Sequence, residues 1–321
     1  MSNIPSSSEM EAFRRAIVQA DPGLSRYNPL PRILYFDKFE STLGGWTTHI
    51  GNYSGDLDTA TDPHAAEQMD HRPPMLSSLA MWDTGSVGGI DSSYAMKIAT
   101  RPLKGHVAKP NKRVTIGGKG LLQIECWFAV KAEATKVDLS AGTYEMFARE
   151  GQVAQEIRGE SAVHSFGFSM DLQDTEERWW PAIRYLNAEN GELREKWQWH
   201  AGGIRYPYID GWLDVEGGHQ EICYNEIPTK HNWNYLRWSV DLSTREYVEL
   251  QCNSRTFSLR GKKWEYKTIH KEEEKHELIY KDKTPMLPRC EGLLNCGPFL
   301  EAGENRRCFF YMDSFLMSCG W

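Results

Sequence analysis

HNWNYLRWSVDLSTREYVELQCNSRTFSLRG, residues 231–261, decides the fold. Leu236, Trp238, Val240 and Leu242 alternate with Tyr235, Arg237, Ser239 and Asp241, a period of two that marks a strand with one buried face. Ser243 to Glu246 supply turn chemistry. Val248, Leu250 and Cys252 then alternate with Tyr247, Glu249 and Gln251. Asn253-Ser254 makes a second tight turn, and Phe257 and Leu259 open a third strand. Three strands on short links form an antiparallel meander. Its apolar face is too large to stay wet, so a second sheet must cover it.

The remaining chain extends this pattern outward. Residues 33–40, 93–99, 113–116, 121–129, 162–172, 178–186, 196–201, 220–227, 286–299 and 307–318 read as further strands. Asn190-Gly191 is the strongest hairpin signal. Residues 51–90, 131–160 and 202–219 read as excursions, the second with helical turns and the third as a Gly- and aromatic-rich loop. Residues 262–290 are charged and read as a solvated loop or surface helix. Residues 9–20 form an amphipathic helix with Ser8 as N-cap and Met10, Phe13, Ile17 and Val18 on one face. That face packs on the sandwich or joins a second subunit, which makes the helix the candidate for homo-oligomer contact. The reading is all-β: a two-sheet antiparallel β-sandwich over 32–321, preceded by the helix and an extended lead-in over 1–31.

Composition narrows the function classes. The net charge is −7 and the pI about 5.8, which argues against a nucleic-acid partner, since phosphate binding needs a basic surface. No apolar run reaches membrane-spanning length. No basic segment followed by an apolar one opens the chain, so a cytoplasmic location is expected, or a secreted one for a mature form. Seven cysteines in irregular spacing read as reduced thiols, with Cys290 and Cys296 close enough to pair or bind metal. Twelve Trp exceed what one core usually takes, because each indole N–H wants a partner; surplus rings line ligand grooves. Gly117-Gly118-Lys119-Gly120 has no GK[ST] helix after it and is a hairpin turn. Asn52-Tyr53-Ser54 is a glycosylation sequon that matters only in a secreted protein.

Three stretches, FDKFESTLGGW, HNWNYLRWSVDLSTREYVELQCNSRTF and YMDSFLMS, in that order, resemble the concanavalin A-like and laminin-G-type jelly rolls. Two departures stand out: Asn253-Ser254 replaces the usual Asn-Gly, and Asp313 is followed by Ser314 where the closing strand often carries two acids. The resemblance implies two antiparallel sheets, a concave face, and frequent carbohydrate binding or cleavage. Fold alone does not fix function.

Three candidate chemistries follow. Acids near both chain ends can converge on a structural calcium ion, which takes oxygen ligands; Glu40 and Asp313 are the expected ligands, with Asp37 or Asp91 beside them. No organic cofactor is expected. The second candidate is an aromatic-lined cleft over the concave sheet, roofed by residues 51–90, where Trp82 and Trp199 would stack on a sugar and Arg184 and Asn225 would bind its polar groups. In VHSFGFSMDL, His164, Phe166, Phe168 and Met170 read as core, with Ser165, Gly167, Ser169 and Asp171 on the polar face. Trp197 and Trp199 share one face of their strand, Gln198 and His200 the other. The third is proton transfer. Glycoside hydrolysis wants two carboxylates about 5–10 Å apart, and the E-x-D-x-x-E pattern of glucanase relatives is absent. A lyase-type site instead needs a His or Tyr, which His231, Tyr224 and His200 can supply. The expected ligand is a glycan or sugar-like small molecule. An isomerase- or cyclase-type enzyme on a hydrophobic metabolite and a non-catalytic interaction module remain open alternatives.

Overall fold

The computed structural model describes residues 7–48, 69–70, 74–78, 88–90, 92–138, 143–146, 160–173, 177–202, 211–222, 232–268 and 292–321. In chain order, α1 (Ser7–Ala20) precedes β1 (Arg32–Asp37), β2 (Thr47–Thr48), β3 (Met69–Asp70), β4 (Met75–Ser78), β5 (Tyr94–Ala99), β6 (Val107–Ala108) and β7 (Pro110–Thr115). Then come β8 (Leu121–Asp138), β9 (Thr143–Met146), β10 (Val163–Gln173), β11 (Glu177–Trp179), β12 (Ala182–Glu189), β13 (Glu192–His200) and β14 (Trp212–His219). The meander is β15 (Asn234–Asp241), β16 (Glu246–Cys252) and β17 (Arg255–Lys263), followed by β18 (Tyr266–Thr268), β19 (Leu293–Ala302) and β20 (Arg306–Cys319).

Among the described residues these strands make two sheets. A nine-stranded sheet runs β17-β16-β15-β8-β20-β5-β4, with β1 on β20 and β9 on β8. An eleven-stranded sheet runs β14-β13-β12-β10-β19-β6-β3, with β11, β18, β7 and β2 off that path. All pairs are antiparallel except β3 with β6. The result is a two-sheet antiparallel β-sandwich of jelly-roll type with one short helix, as the sequence predicts. The chain's first and last strands lie side by side, with Phe36 opposite Leu316. Asn190 and Gly191 turn the β12–β13 hairpin with φ of 53° and 82°, a conformation that costs glycine nothing and asparagine little.

The core lies between the sheets. Phe128 and Phe310 from one meet Phe166, Phe168, Tyr185 and Trp197 from the other. Cys126, Cys252, Cys296, Cys308 and Cys319 are free and buried, where they pack as small hydrophobes; Cys223 and Cys290 lie outside the described residues.

The structure corrects several local expectations. Residue Val248 is an extra residue between the Val240–Tyr247 and Ser239–Glu249 pairs, a bulge that turns Tyr247 into the core rather than outward. A second bulge, between Val163 and Ser165, takes His164 out of the core and sets it against Glu301. β8 runs on to Asp138, into the region expected to be irregular, because β9 and β20 pair with it there. Residues 212–219, expected in a loop, form β14 against β13. Pro181 divides the strand expected over 178–186 into β11 and β12, since it has no N–H to give the ladder.

The helix does not lay Met10, Phe13 and Ile17 on the sandwich, the first of its two expected placements. Its Met10, Phe13 and Ile17 are 40%, 62% and 52% exposed, while Glu11, Arg14, Arg15 and Gln19 turn toward the nine-stranded sheet. The reason lies underneath, where the sheet offers Gln123, Arg237, Ser239 and Glu249 to the helix.

On the same outer face, the Lys97 ammonium sits 4.5 Å from the Phe309 ring centroid. Burial first, then repulsion from Arg307 and Lys131, lowers its pKa from 10.5 to about 8. With the folded value below the unfolded one, the unfolded chain holds more protons between pH 8 and 10.5, so this group's contribution to stability rises with pH across that window. Lys97→Met is therefore expected to raise the melting midpoint at pH 7, with the gain fading as pH approaches 10.5. Thermal melts at stepped pH check this; a gain that persists undiminished at high pH contradicts it.

Candidate functional site

The outer face of the eleven-stranded sheet is built by alternation. Phe166, Phe168 and Met170 point into the core, which sends Ser165, Gly167, Ser169 and Asp171 outward. Register then aligns Phe299, Gly167, Arg184, Gln198 and Asp214 in one row across five strands. Glu301, Ser165, Leu186, Lys196 and His219 form the next row. A Cβ at Gly167 would lie 2.0 Å from the Ile183 carbonyl oxygen, so only glycine allows this strand approach.

Arg184 is the centre of a polar chain. Its Nε donates to Gln198 Oε1 (2.7 Å), Gln198 Nε2 donates to Asp214 Oδ1 (2.7 Å), and Lys196 Nζ donates to Asp214 Oδ2 (2.7 Å). The guanidinium carbon stands 4.4 Å from the Trp212 ring centroid. Burial lowers the Arg184 pKa to about 10, against the pull of Glu301, Glu189 and Asp214, so the group stays charged at neutral pH. Burial works against the Asp214 carboxylate too, but the hydrogen bonds from Gln198 and Lys196 outweigh it and hold its pKa below the usual value. Trp212, half-buried, packs with Trp180, Ala182, Phe299 and Val107. On the far side Ser165 Oγ donates to Glu301 Oε2 (3.1 Å), and His164 Nε2 is 3.8 Å from the same oxygen.

Of the residues expected here, Arg184 and His200 lie on this face. His200 is buried, edge-on to Trp212 at 5.1 Å, and its Nδ1 accepts the Gly202 N–H (3.1 Å), which leaves the ring proton on Nε2. Trp199 faces the other way: its ring lies in the core, 5.6 Å from Tyr247. The exposed-side ring beside Arg184 is Trp212, not Trp199. The Tyr247 hydroxyl, reaching across from the opposite sheet, donates to the His200 carbonyl (2.7 Å) and accepts the Ala182 N–H (2.9 Å). Trp82, Tyr224, Asn225 and His231 lie outside the described residues.

The expected calcium ligands sit as follows. Glu40 is exposed. Asp313 is buried and accepts the Ile90 N–H (2.7 Å) and the Ser314 hydroxyl (3.2 Å). Asp37 accepts the Tyr35 hydroxyl (2.6 Å) and the Phe39 N–H (2.9 Å). Neither Glu40 nor Asp313 belongs to the one group of three metal-donor side chains among the described residues, Glu195, His219 and Glu221.

Trp212 and Asp214 were not legible as site residues. Their strand reads as loop because GWLDVEGGH carries three glycines, and its pairing with β13 is a long-range fact. The available signal was the alternation of Trp212 and Asp214 with Leu213 and Val215.

Fold and face together define a jelly-roll β-sandwich with an arginine–aromatic platform on one sheet. The chain belongs to the family described as domain of unknown function (DUF6772), whose model matches residues 14–321. No curated protein matches it. Among solved structures it is similar to the cellulose-induced protein Cip1 (10% identity, 89% of this chain and 100% of that chain, TM-score 0.35). It is also similar to a xylan-binding domain of Paenibacillus barcinonensis Xyn10C (10%, 91% and 97%, TM-score 0.32) and to a Bacteroides ovatus GH16 protein of a mixed-linkage glucan locus (7%, 89% and 100%, TM-score 0.35). At such scores the fold assignment rests on the chain's own strand order.

Proposed function

We propose that the outer face of the eleven-stranded sheet binds a carbohydrate, with Trp212 as the stacking ring and Arg184, Gln198 and Asp214 as the groups that read hydroxyls. The observation that supports this most is the Arg184 guanidinium, held against Trp212 and fixed by Gln198, which is itself fixed by Asp214. A pyranose has an apolar ring face and a polar rim. A planar ring beside preset donors and acceptors matches both at little ordering cost. Asp214 spends its oxygens on Gln198 and Lys196, and Glu301 accepts from Ser165, so these carboxylates serve binding in this reading.

The test is a panel of β-glucan, xylan, mannan and pectic oligosaccharides, titrated by calorimetry against wild type, Trp212→Ala and Arg184→Met. Each variant is expected to lose about tenfold or more in affinity for the best glycan, roughly one good aromatic or charge-assisted contact. No saturable binding to any member, or full affinity in both variants, overturns the reading. Release of reducing ends during the titration would add processing to binding.

A further inference from the structure

A second concavity lies on the opposite side of the sandwich. Helix α1 and the lead-in to β1 stand over the nine-stranded sheet and enclose a groove of about 480 Å³. That is within the range of small-molecule sites, about 300–1,000 Å³. Its floor is polar: Gln123, Arg237, Ser239 and Glu249. Its margins are apolar, with Val18, Leu30, Ile33 and Leu121.

Most polar groups here are already matched. Gln123 Nε2 donates to Glu125 Oε1 and to the Asn28 carbonyl (both 2.8 Å), and Ser239 Oγ donates to Gln123 Oε1 (3.3 Å). Glu249 accepts from Arg237 Nη2, and Glu11 from Arg15 Nη2 (2.6 Å). Two groups remain over. The Arg237 Nε–H is buried and has no acceptor. Arg14, on the helix, has no partner among the described residues. Both are cationic donors that cannot accept, so their complement is an anion. Three arginines and two glutamates line the groove, and the buried Glu125 carboxylate lies behind Gln123, opposite Arg237 on the next strand.

We propose that this groove is a second ligand site, which takes an organic carboxylate with an apolar body. The carboxylate would satisfy Arg237 Nε–H and Arg14, and the body would lie on Val18, Leu30 and Leu121. This site shares no residue with the Arg184–Trp212 face, so the two stand or fall separately.

Octanoate, octanol and inorganic phosphate serve as probes for calorimetric titration of the full chain. Octanoate is expected to bind saturably, with octanol and phosphate each at least about tenfold weaker, because each lacks one half of the match. Arg14→Ala, a change on the exposed helix, is expected to weaken octanoate severalfold, and Arg237→Lys, which keeps the charge but loses Nε–H, by about tenfold. Gln19→Trp, which narrows the groove from the helix side, is expected to reduce affinity without altering the melting midpoint. Absence of saturable octanoate binding, equal binding of octanol or phosphate, or undiminished binding in Arg14→Ala together with Gln19→Trp each overturns the proposal. Because the Arg14 and Gln19 changes do not touch the sheet, a misfolded Arg237→Lys would leave it testable.

Discussion

Phe310→Ala is expected to lower the free energy of unfolding by about 3–5 kcal/mol, the range for emptying a buried aromatic site. Phe310 is fully buried on β20. It stacks on Phe128 of its own sheet (centroids 5.6 Å apart, planes at 4°) and meets Phe166 and Phe168 of the facing sheet at 5.9 and 6.1 Å. Truncation removes the ring at which side chains of three strands, β8, β10 and β20, converge, and paired strands on both sides limit how far the walls can collapse. Urea denaturation followed by fluorescence checks this through the midpoint, with the slope unchanged. Phe13→Ala, on the exposed side of the helix, is the control and should move stability by less than about 0.5 kcal/mol. A Phe310 variant as mild as that control would mean the layers do not meet there.

Glu125→Leu is expected to cost about 3 kcal/mol, although Leu is the more hydrophobic residue. Glu125 is fully buried on the outer face of β8. Its Oε1 accepts Gln123 Nε2, and its Oε2 accepts the Asn28 N–H (2.8 Å) and the Tyr235 hydroxyl. Removing the acceptor strands these donors, at about 1–3 kcal/mol for each that finds no substitute. Asn28 lies in the lead-in that carries the helix, so its amide should exchange faster in the variant than in wild type. Glu125→Gln keeps one acceptor oxygen and should fall between the two. Unchanged stability with unchanged exchange at Asn28 would contradict this account.

Period-two alternation in RWSVDL and in VHSFGFSMDL is a local consequence of the pleat, so the two layers, the meander and most inward positions were legible. The β1–β20 pairing, which closes the sandwich by joining the first strand to the last, is a long-range contact that the alternation does not encode. Bulges were not legible. One extra residue reverses every side chain beyond it, which is why Tyr247 and His164 exchanged faces relative to expectation. The candidate face was half legible for a related reason. Arg184, Gln198 and His200 sit on regular strands, so their shared side follows from counting. Trp212 and Asp214 join them only through the β13–β14 register, which no local pattern encodes. Of the rings expected on that face, Trp199 went to the core, and Trp212 took the outer position.

The Arg255 guanidinium has a consequence beyond its own strand. Among the described residues, β14 and β17 are the terminal strands of the two sheets, and an open strand margin invites another chain to pair with it. Arg255, on β17, reaches over to the β14 side and donates to the carbonyls of His219 and Gly217. One residue thus stitches the two free margins to each other and occupies acceptors that a stray strand would use. Fibrils grow by adding strands through such backbone acceptors, and Arg255 occupies two of them.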